Sequence, residues 1–549
     1  MNQIQSIRTF SLLNPQTTEN TTSLSETAAN DLALQFLAEH LSDSDTERQT
    51  LKQILMKMPT DCATIRYRQE IYQDLQRYPE LCETLREIFD SIQFSSIDDT
   101  HISYSKASIW ELLDRLRALE QYCQAVFKIQ NLLKDKQFHS EGMKKFSAFI
   151  RQIYENSGFS ELSEDIKILS DDVMSIKSMT LGVNFNSEFA PSEIGIVSLN
   201  TYEFSEKGFL EKFIQFHRKR HPEDKNLTPF TMLSHAGNGT ASESLLMKNL
   251  TSLIEEMLPA VTAKLRKVLK QYTDTSGTAL ASLGDELLFY FCFIRLEKQI
   301  RTLGLPCSMA SVSDTQAESH FSDFYNIRLA LCQLDGTVKN PIICNPLDFT
   351  QEKTVLILTG PNQGGKTIFT QGIGLAFLLI QHGVFAPCKS GTLHICDGIY
   401  THFPADENRT VSLGRLGEEA VRFRELCSKA TRNSLLLFNE SFATTSHTES
   451  LLIAENSLKY LCCLGARTCF NTHMHELAAN PESLRTEQSV CGAVSLVMGK
   501  RDSAEAYQVR YEPPDGLSYA YEIARQYGIT FEQLCKDYRP ETHNYSELS

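Results

Sequence analysis

At 549 residues the chain is too long for one hydrophobic core, and roughly two to four domains are expected. Its composition, 42% apolar and 22% charged, is that of an ordinary soluble globular protein, and the longest apolar runs, such as Gly374 to Ile380, fall short of a membrane span. The net charge of −15 excludes a protein that coats nucleic acid by bulk attraction, so any DNA contact is expected to be local.

The N-terminus, Met1-Asn2-Gln3-Ile4-Gln5, lacks the basic-then-apolar order of a signal peptide, which points to an intracellular, cytoplasmic protein. The 15 cysteines are dispersed without a CxxC pair, and Cys462-Cys463 lies on an apolar helical stretch, so buried thiols without a metal or redox role are expected. Residues 1–30, rich in Ser, Thr, Asn and Gln, read as a flexible lead-in.

From residue 31 to about 178 the apolar spacing is helical, as at Leu32, Leu34, Phe36 and Leu37, and again at Leu112, Leu113, Leu116 and Leu119. Arg66 to Tyr72 with Leu75 forms an amphipathic helix whose charges are expected on a solvated face, and Pro79 begins the next helix. Met179–Phe185 and Ile194–Leu199 are β-rich and predict a hairpin. His217-Arg218-Lys219-Arg220-His221 is the densest basic cluster. It reads first as a solvated helix end, with Arg218, Lys219 and Arg220 as candidate phosphate contacts.

Residues 244–303 predict two long helices folding back as an arm, the first presenting Lys264, Arg266, Lys267 and Lys270 between Leu265, Val268 and Leu269. Lys264 and Lys267 are the candidate DNA contacts there. After about 320 strand and helix alternate: Ile327–Leu331, Val355–Thr359, Ser434–Phe438 and Arg467–Asn471 are expected as strands of a parallel-rich sheet. Val490–Met498 and Tyr507–Tyr511 predict a hairpin joined to it.

The strand Val355–Thr359 runs into Gly360-Pro361-Asn362-Gln363-Gly364-Gly365-Lys366-Thr367, which fits the phosphate-loop pattern GxxxxGK[ST]. Backbone N–H groups must converge on a polyphosphate there, and side chains at the glycine positions would block it. Lys366 would reach the β- and γ-phosphates of ATP, and the Thr367 hydroxyl would ligate Mg²⁺. A helix from Lys366 to Gln381, stopped at Gly383, would add its N-terminal dipole.

Hydrolysis needs an acid at a strand end, and Leu435-Leu436-Leu437-Phe438-Asn439-Glu440 supplies Glu440 to polarise water. The preceding position, usually Asp beside the metal, is the neutral Asn439, so slow turnover is expected. Phe470-Asn471-Thr472-His473 places His473 at a third strand end as a γ-phosphate sensor. His475 lies two residues on, but no third ligand accompanies the pair, and zinc is rejected.

Together with Asn345-Pro346-Leu347-Asp348-Phe349 and Asp515-Gly516-Leu517-Ser518-Tyr519-Ala520, these motifs resemble the ATPase domain of the MutS family of mismatch-repair proteins over about 320–535. Gly-Pro-Asn-x-Gly-Gly-Lys-[Ser/Thr] is far narrower than the general loop pattern. The resemblance implies a mixed fold: an all-α helical core and lever/arm over 31–318, then an α/β P-loop ATPase domain of ABC/MutS type over 319–549. It also implies a homodimer with composite ATP sites, in which Ser412, in the loop Asn408 to Glu419, caps the γ-phosphate bound by the partner. A plain helix cap is the other reading of Ser412.

Mismatch readers of this family wedge the Phe of a Phe-x-Glu motif beside the mispaired base. Here Phe159-Ser160-Glu161, Phe204-Ser205-Glu206 and Phe209-Leu210-Glu211 all fall past the start of the helical region, and so short a pattern recurs by chance. The helical core is expected to begin within the first few tens of residues, without mismatch-recognition or connector domains. No nuclease-type extension is expected after Ser518. Two functions follow: an ATP-gated dimeric clamp on DNA, or an ATP-controlled protein-interaction factor that does not use DNA. Neither involves a membrane.

Overall fold

The computed structural model describes residues 10–15, 20–91, 107–174, 177–188, 191–202, 258–272, 278–315, 318–361, 364–404, 414–443, 446–499, 506–514, 525 and 527–537. It is a mixed helix-and-sheet fold with two compact units, one drawing on Glu80–Gln137 and Lys144–Gly284, the other on Phe10–Pro79, Phe138–Met143 and Asp285–Ser549. Among the described residues no helix is long and apolar enough to cross a membrane.

The first unit is led by the helix Ile109–Leu133, started by a capping box in which Ser108 and Glu111 satisfy each other's backbone N–H groups. Its Arg115 is buried and donates to Tyr272 O at 3.1 Å, tying it to the chain after Pro259–Leu269. Ser178–Phe185 and Pro191–Asn200 pair antiparallel, as the hairpin expectation has it. Residues 203–257, which hold Arg218, Lys219 and Arg220, lie outside the described residues.

The second unit is built on a six-stranded sheet. In chain order its elements are β1 (Val355–Thr359), α1 (Lys366–Gln381), β2 (Ile399–His402), α2 (Gly414–Lys429), β3 (Leu435–Asn439), α3 (His447–Leu464), β4 (Arg467–Asn471), β5 (Ala493–Met498) and β6 (Val509–Arg510). The spatial order is β2-β3-β4-β1-β5-β6, parallel throughout except the antiparallel β5/β6 edge. β1, β3 and β4 are buried along their whole length, as central strands covered on both faces must be. Register sets Asn439 opposite Asn471 and Asn471 opposite Leu358, so three strand ends meet at one edge.

Three expectations need correction. Ile327–Leu331 is not a strand but the start of the helix Ile327–Leu334: Asn326 caps it by accepting from Arg328 N–H at 2.7 Å, and its buried residues Ile327, Ala330 and Leu331 recur at helical spacing. The lead-in is ordered where described. Thr21–Ser23 pairs with Lys57–Pro59, Ser25 caps the helix Glu26–Asp31, and Leu12 and Leu24 are buried. Arg68 is not on a solvated face: it is 2% exposed, and its Nε donates to Leu13 O at 2.6 Å.

The sheet-bearing unit thus takes in residues 31–79, which the sequence assigns to the helical region, together with residues 10–30 of the lead-in. Close packing explains the attachment. A Cβ on Gly374 of α1 would lie 2.5 Å from Leu32 Cδ2 and 2.7 Å from Leu437 Cδ1, so a bare glycine lets the N-terminal segment and β3 close on the same helix.

Candidate nucleotide site

The loop after β1 takes its shape from glycines that nothing else could replace. Gly360 has φ 144°, and a Cβ there would sit 2.9 Å from the Met498 carbonyl oxygen of β5. Gly365, at φ 93°, turns the chain into α1, whose first-turn N–H groups have no intrahelical partner and form an anion-binding end. Asn362, Gln363 and Ser412 lie outside the described residues.

Lys366 is 5% exposed and folded back, its Nζ donating to Gly360 O and Pro361 O at 3.1 Å each. Burial pushes its pKa down to about 8, with the Glu440 charge acting the other way. The ammonium therefore sits among neutral carbonyls, an environment that an incoming phosphate would improve. On the next residue the Thr367 hydroxyl donates to Asn439 Oδ1 at 2.9 Å.

Asn439 Oδ1 also accepts from Asn471 Nδ2, so the amide oxygen at the end of β3 serves two donors from α1 and β4. Asn471 Oδ1 is buried with no hydrogen-bond partner among the described residues. The donor set around Thr367 is a hydroxyl and a neutral amide oxygen. It suits a metal that brings most of its ligands on the nucleotide phosphates and water. Among the described residues no group of three or more His, Cys, Asp or Glu could hold a metal ion.

Glu440 turns out of β3 at φ 50°, a left-handed conformation that costs a non-glycine residue roughly 1–2 kcal/mol. Its N–H donates to Asn471 O at 2.9 Å, and its carboxylate meets His473 Nε2 at 2.7 Å. That hydrogen bond holds the Glu440 carboxyl below the usual carboxylate range, with Lys366 adding to the effect. An ionised carboxylate only accepts, so Nε2 of His473 carries the proton. His475 opens the helix His475–Ala479, and burial pushes its pKa down.

Two features escaped the sequence reading. A cavity of about 520 Å³ adjoins the loop, lined by Gly364, Gly365, Ile368 and Phe369 on one side and by Asn326, Pro341, Ile343 and Tyr507 on the other. His402, ending β2, is 2% exposed and contacts Ser441 Oγ at 2.7 Å and Glu419 O at 3.1 Å. A polar residue closing a short apolar strand was the only signal for it.

The proposed DNA contacts are less organised. Lys264 pairs with Asp172 at 2.6 Å, so its charge is locally balanced, and Lys267 is exposed on the same helix. Phe159, in the first Phe-x-Glu, is buried and meets Tyr122 edge-on at 6.4 Å, a core contact rather than a presented wedge.

Parallel strands whose ends gather a Gly-rich loop, Lys366, Asn439, Glu440 and His473 define a mixed helix-and-sheet protein with a candidate anion site at one strand edge. Residues 356–534 match the family described as MutS domain V, and residues 60–303 match the MutS2 N-terminal domain. The chain belongs to the MutS family. The DNA mismatch repair protein MutS of Chlorobium chlorochromatii is 34% identical over 196 residues, covering 33% of this chain and 22% of that protein. That of Listeria innocua is 27% identical over 246 residues, 42% of this chain and 28% of the relative, and that of Leptospira interrogans 38% over 130, 23% and 15%. The chain thus matches less than a third of the length of these relatives.

Proposed function

We propose that this chain is an ATPase that binds ATP with Mg²⁺ at Gly360–Thr367 and acts as a homodimeric, ATP-gated clamp on DNA, in the cytoplasm. One observation carries the nucleotide reading: Lys366, Thr367, Asn439, Glu440 and His473, from the start of one helix and the ends of two strands, converge on one sheet edge. The neighbouring cavity of about 520 Å³ has an apolar wall suited to a nucleobase.

On binding, Lys366 exchanges the Gly360 and Pro361 carbonyls for phosphate oxygens. Thr367 and Asn439 would hold the Mg²⁺, which would supply positive charge to offset that of the phosphates. Glu440, kept ionised by His473, orients the attacking water, and His473 reads the γ-phosphate. The neutral Asn439 withholds one negative charge from the metal, so turnover is slow. Ser412 of a second copy caps the γ-phosphate across a dimer interface. ATP then changes arm geometry rather than DNA chemistry, a shift between two states.

DNA as the substrate is supported by family membership, by the printed names of the relatives and by the basic residues Arg218, Lys219, Arg220, Lys264 and Lys267. A mobility shift with duplex, mismatched and four-way-junction DNA, with and without ATP, tests it; failure to bind any of them removes the clamp. The net charge of −15 favours a second reading, an ATP-controlled protein-interaction factor. A stable protein partner recovered after nuclease treatment, without nucleic acid, would select that one.

A further inference from the structure

The turn after β3 is unusual in carrying two non-glycine residues in the left-handed region, Glu440 at φ 50° and Phe442 at φ 64°, on either side of Ser441. Such a turn persists only where its surroundings over-determine it. Here they do. The Phe442 N–H donates to the Glu419 carboxylate at 2.8 Å, and Ser450 Oγ donates to Phe442 O at 2.6 Å. Ser441 Oγ lies 2.7 Å from His402 Nδ1 and 3.2 Å from His402 O.

His402 is the hub of that arrangement. Its ring packs against Phe423, Phe438 and Phe442, with centroids 6.3, 5.9 and 5.8 Å away. Burial, helped by Arg422, pushes its pKa down to about 4, so the ring is neutral at ordinary pH. Glu419 O can only accept, which assigns the ring proton to Nε2 and leaves Nδ1 to accept the Ser441 hydroxyl proton. One imidazole thereby joins the end of β2, the first turns of α2 and the turn that aims Glu440.

We infer that His402 is a positioning residue for ATP hydrolysis: through Ser441 and Glu419 it holds the strained turn that points the Glu440 carboxylate at the reacting water. This rests on the ATPase reading above and deepens it. Among the described residues no hydrogen bond or ring contact joins His402 to the phosphate loop or to Glu440, so its loss should act on turnover and leave nucleotide affinity alone. A group that acts through Ser441 should also add little once the Ser441 hydroxyl is gone.

The test compares wild type, His402→Phe, Ser441→Ala and the double variant, with Lys366→Ala as the binding control. Steady-state ATP hydrolysis gives kcat and KM, and a fluorescent ATP analogue gives affinity in the absence of turnover. His402→Phe should lower kcat at least ~10-fold with affinity within about twofold of wild type, and the double variant should be no slower than the worse single one. Circular dichroism and melting temperature establish that each variant is folded. Should His402→Phe not fold, Ser441→Ala carries the same expectation by itself. Full kcat in folded variants beside an active wild type overturns the inference alone, as do single effects that multiply in the double variant or an equal loss of affinity. A wild type that neither binds nor hydrolyses ATP removes the ATPase reading and this inference with it.

Discussion

Two turns leave the sheet at the same edge, and each needs a backbone that L-residues resist. The loop after β1 places glycines at its positive φ angles, Gly360 and Gly365, so its shape carries no side-chain penalty and is open to a ligand. The turn after β3 places Glu440 and Phe442 there instead and is held by His402, Glu419, Ser450 and Asn471. The proposed binding loop is thus permissive by composition, while the turn bearing the proposed catalytic acid is constrained by its neighbours. Affinity and turnover should therefore respond to different residues.

The largest test of that division is Lys366→Ala. It should weaken ATP binding by about 100-fold or more, since a charge-assisted contact to phosphate in a buried site is lost; equilibrium binding measures it, and near-normal affinity would break the comparison. Next, Glu440→Ala should leave affinity within about twofold, cut kcat roughly 100-fold or more and accumulate the ATP-bound dimer. Sizing with ATP and Mg²⁺ beside a turnover assay reads both effects, and an undiminished rate would take the role from Glu440.

The pH dependence separates the same two turns. With the pKa of Lys366 pushed down to about 8 in the free protein, and raised again by a bound anion, binding takes up a proton once the free lysine has lost its own. ATP affinity should then be flat at lower pH and fall above about pH 8, by at most about tenfold per unit. Titration calorimetry at several pH values measures this, and Lys366→Ala should remove the step. Asn439→Asp should give a smaller change, raising turnover a few-fold at limiting Mg²⁺, as an added anionic oxygen attracts the ion. An unchanged rate at every Mg²⁺ level would show that the neutral amide is not limiting.

The smallest effect concerns strain alone. Glu440→Gly and Glu440→Ala both remove the carboxylate, but only glycine relaxes at φ 50°, so the glycine variant should be more stable by roughly 1 kcal/mol in denaturant titrations. Equal stability would mean that the turn is not strained as its dihedral angles imply.

Much of the site was legible because it is written in contiguous residues. The loop from Gly360 to Thr367, the helix Lys366–Gln381 and the strand-end pair Asn439-Glu440 each combine a local pattern with a local structure. The Asn439–Asn471 contact was not legible, since it depends on the register of two strands that the sequence does not align. Nor was the His402 contact with Ser441, which joins residues 39 apart through a ring that burial keeps neutral and a tautomer that the Glu419 carbonyl sets. In the fold, the short apolar run Ile327–Leu331 suits either strand or helix by pattern, and it is the cap at Asn326 that decides for helix. Arg68 looked solvent-facing because an amphipathic pattern does not reveal a carbonyl such as Leu13 O waiting across the interface.

Asn326 has a reach beyond its helix. While its side-chain oxygen caps Ile327–Leu334, its Nδ2 donates to Ile368 O in the first turn of α1 at 2.6 Å, and its Cβ lies 2.9 Å from where a Cβ on Gly372 would be. The same residue lines the cavity beside the phosphate loop. Cavity wall and loop helix are consequently pinned to one another, so a change at this one asparagine would loosen a helix start and a cavity wall together.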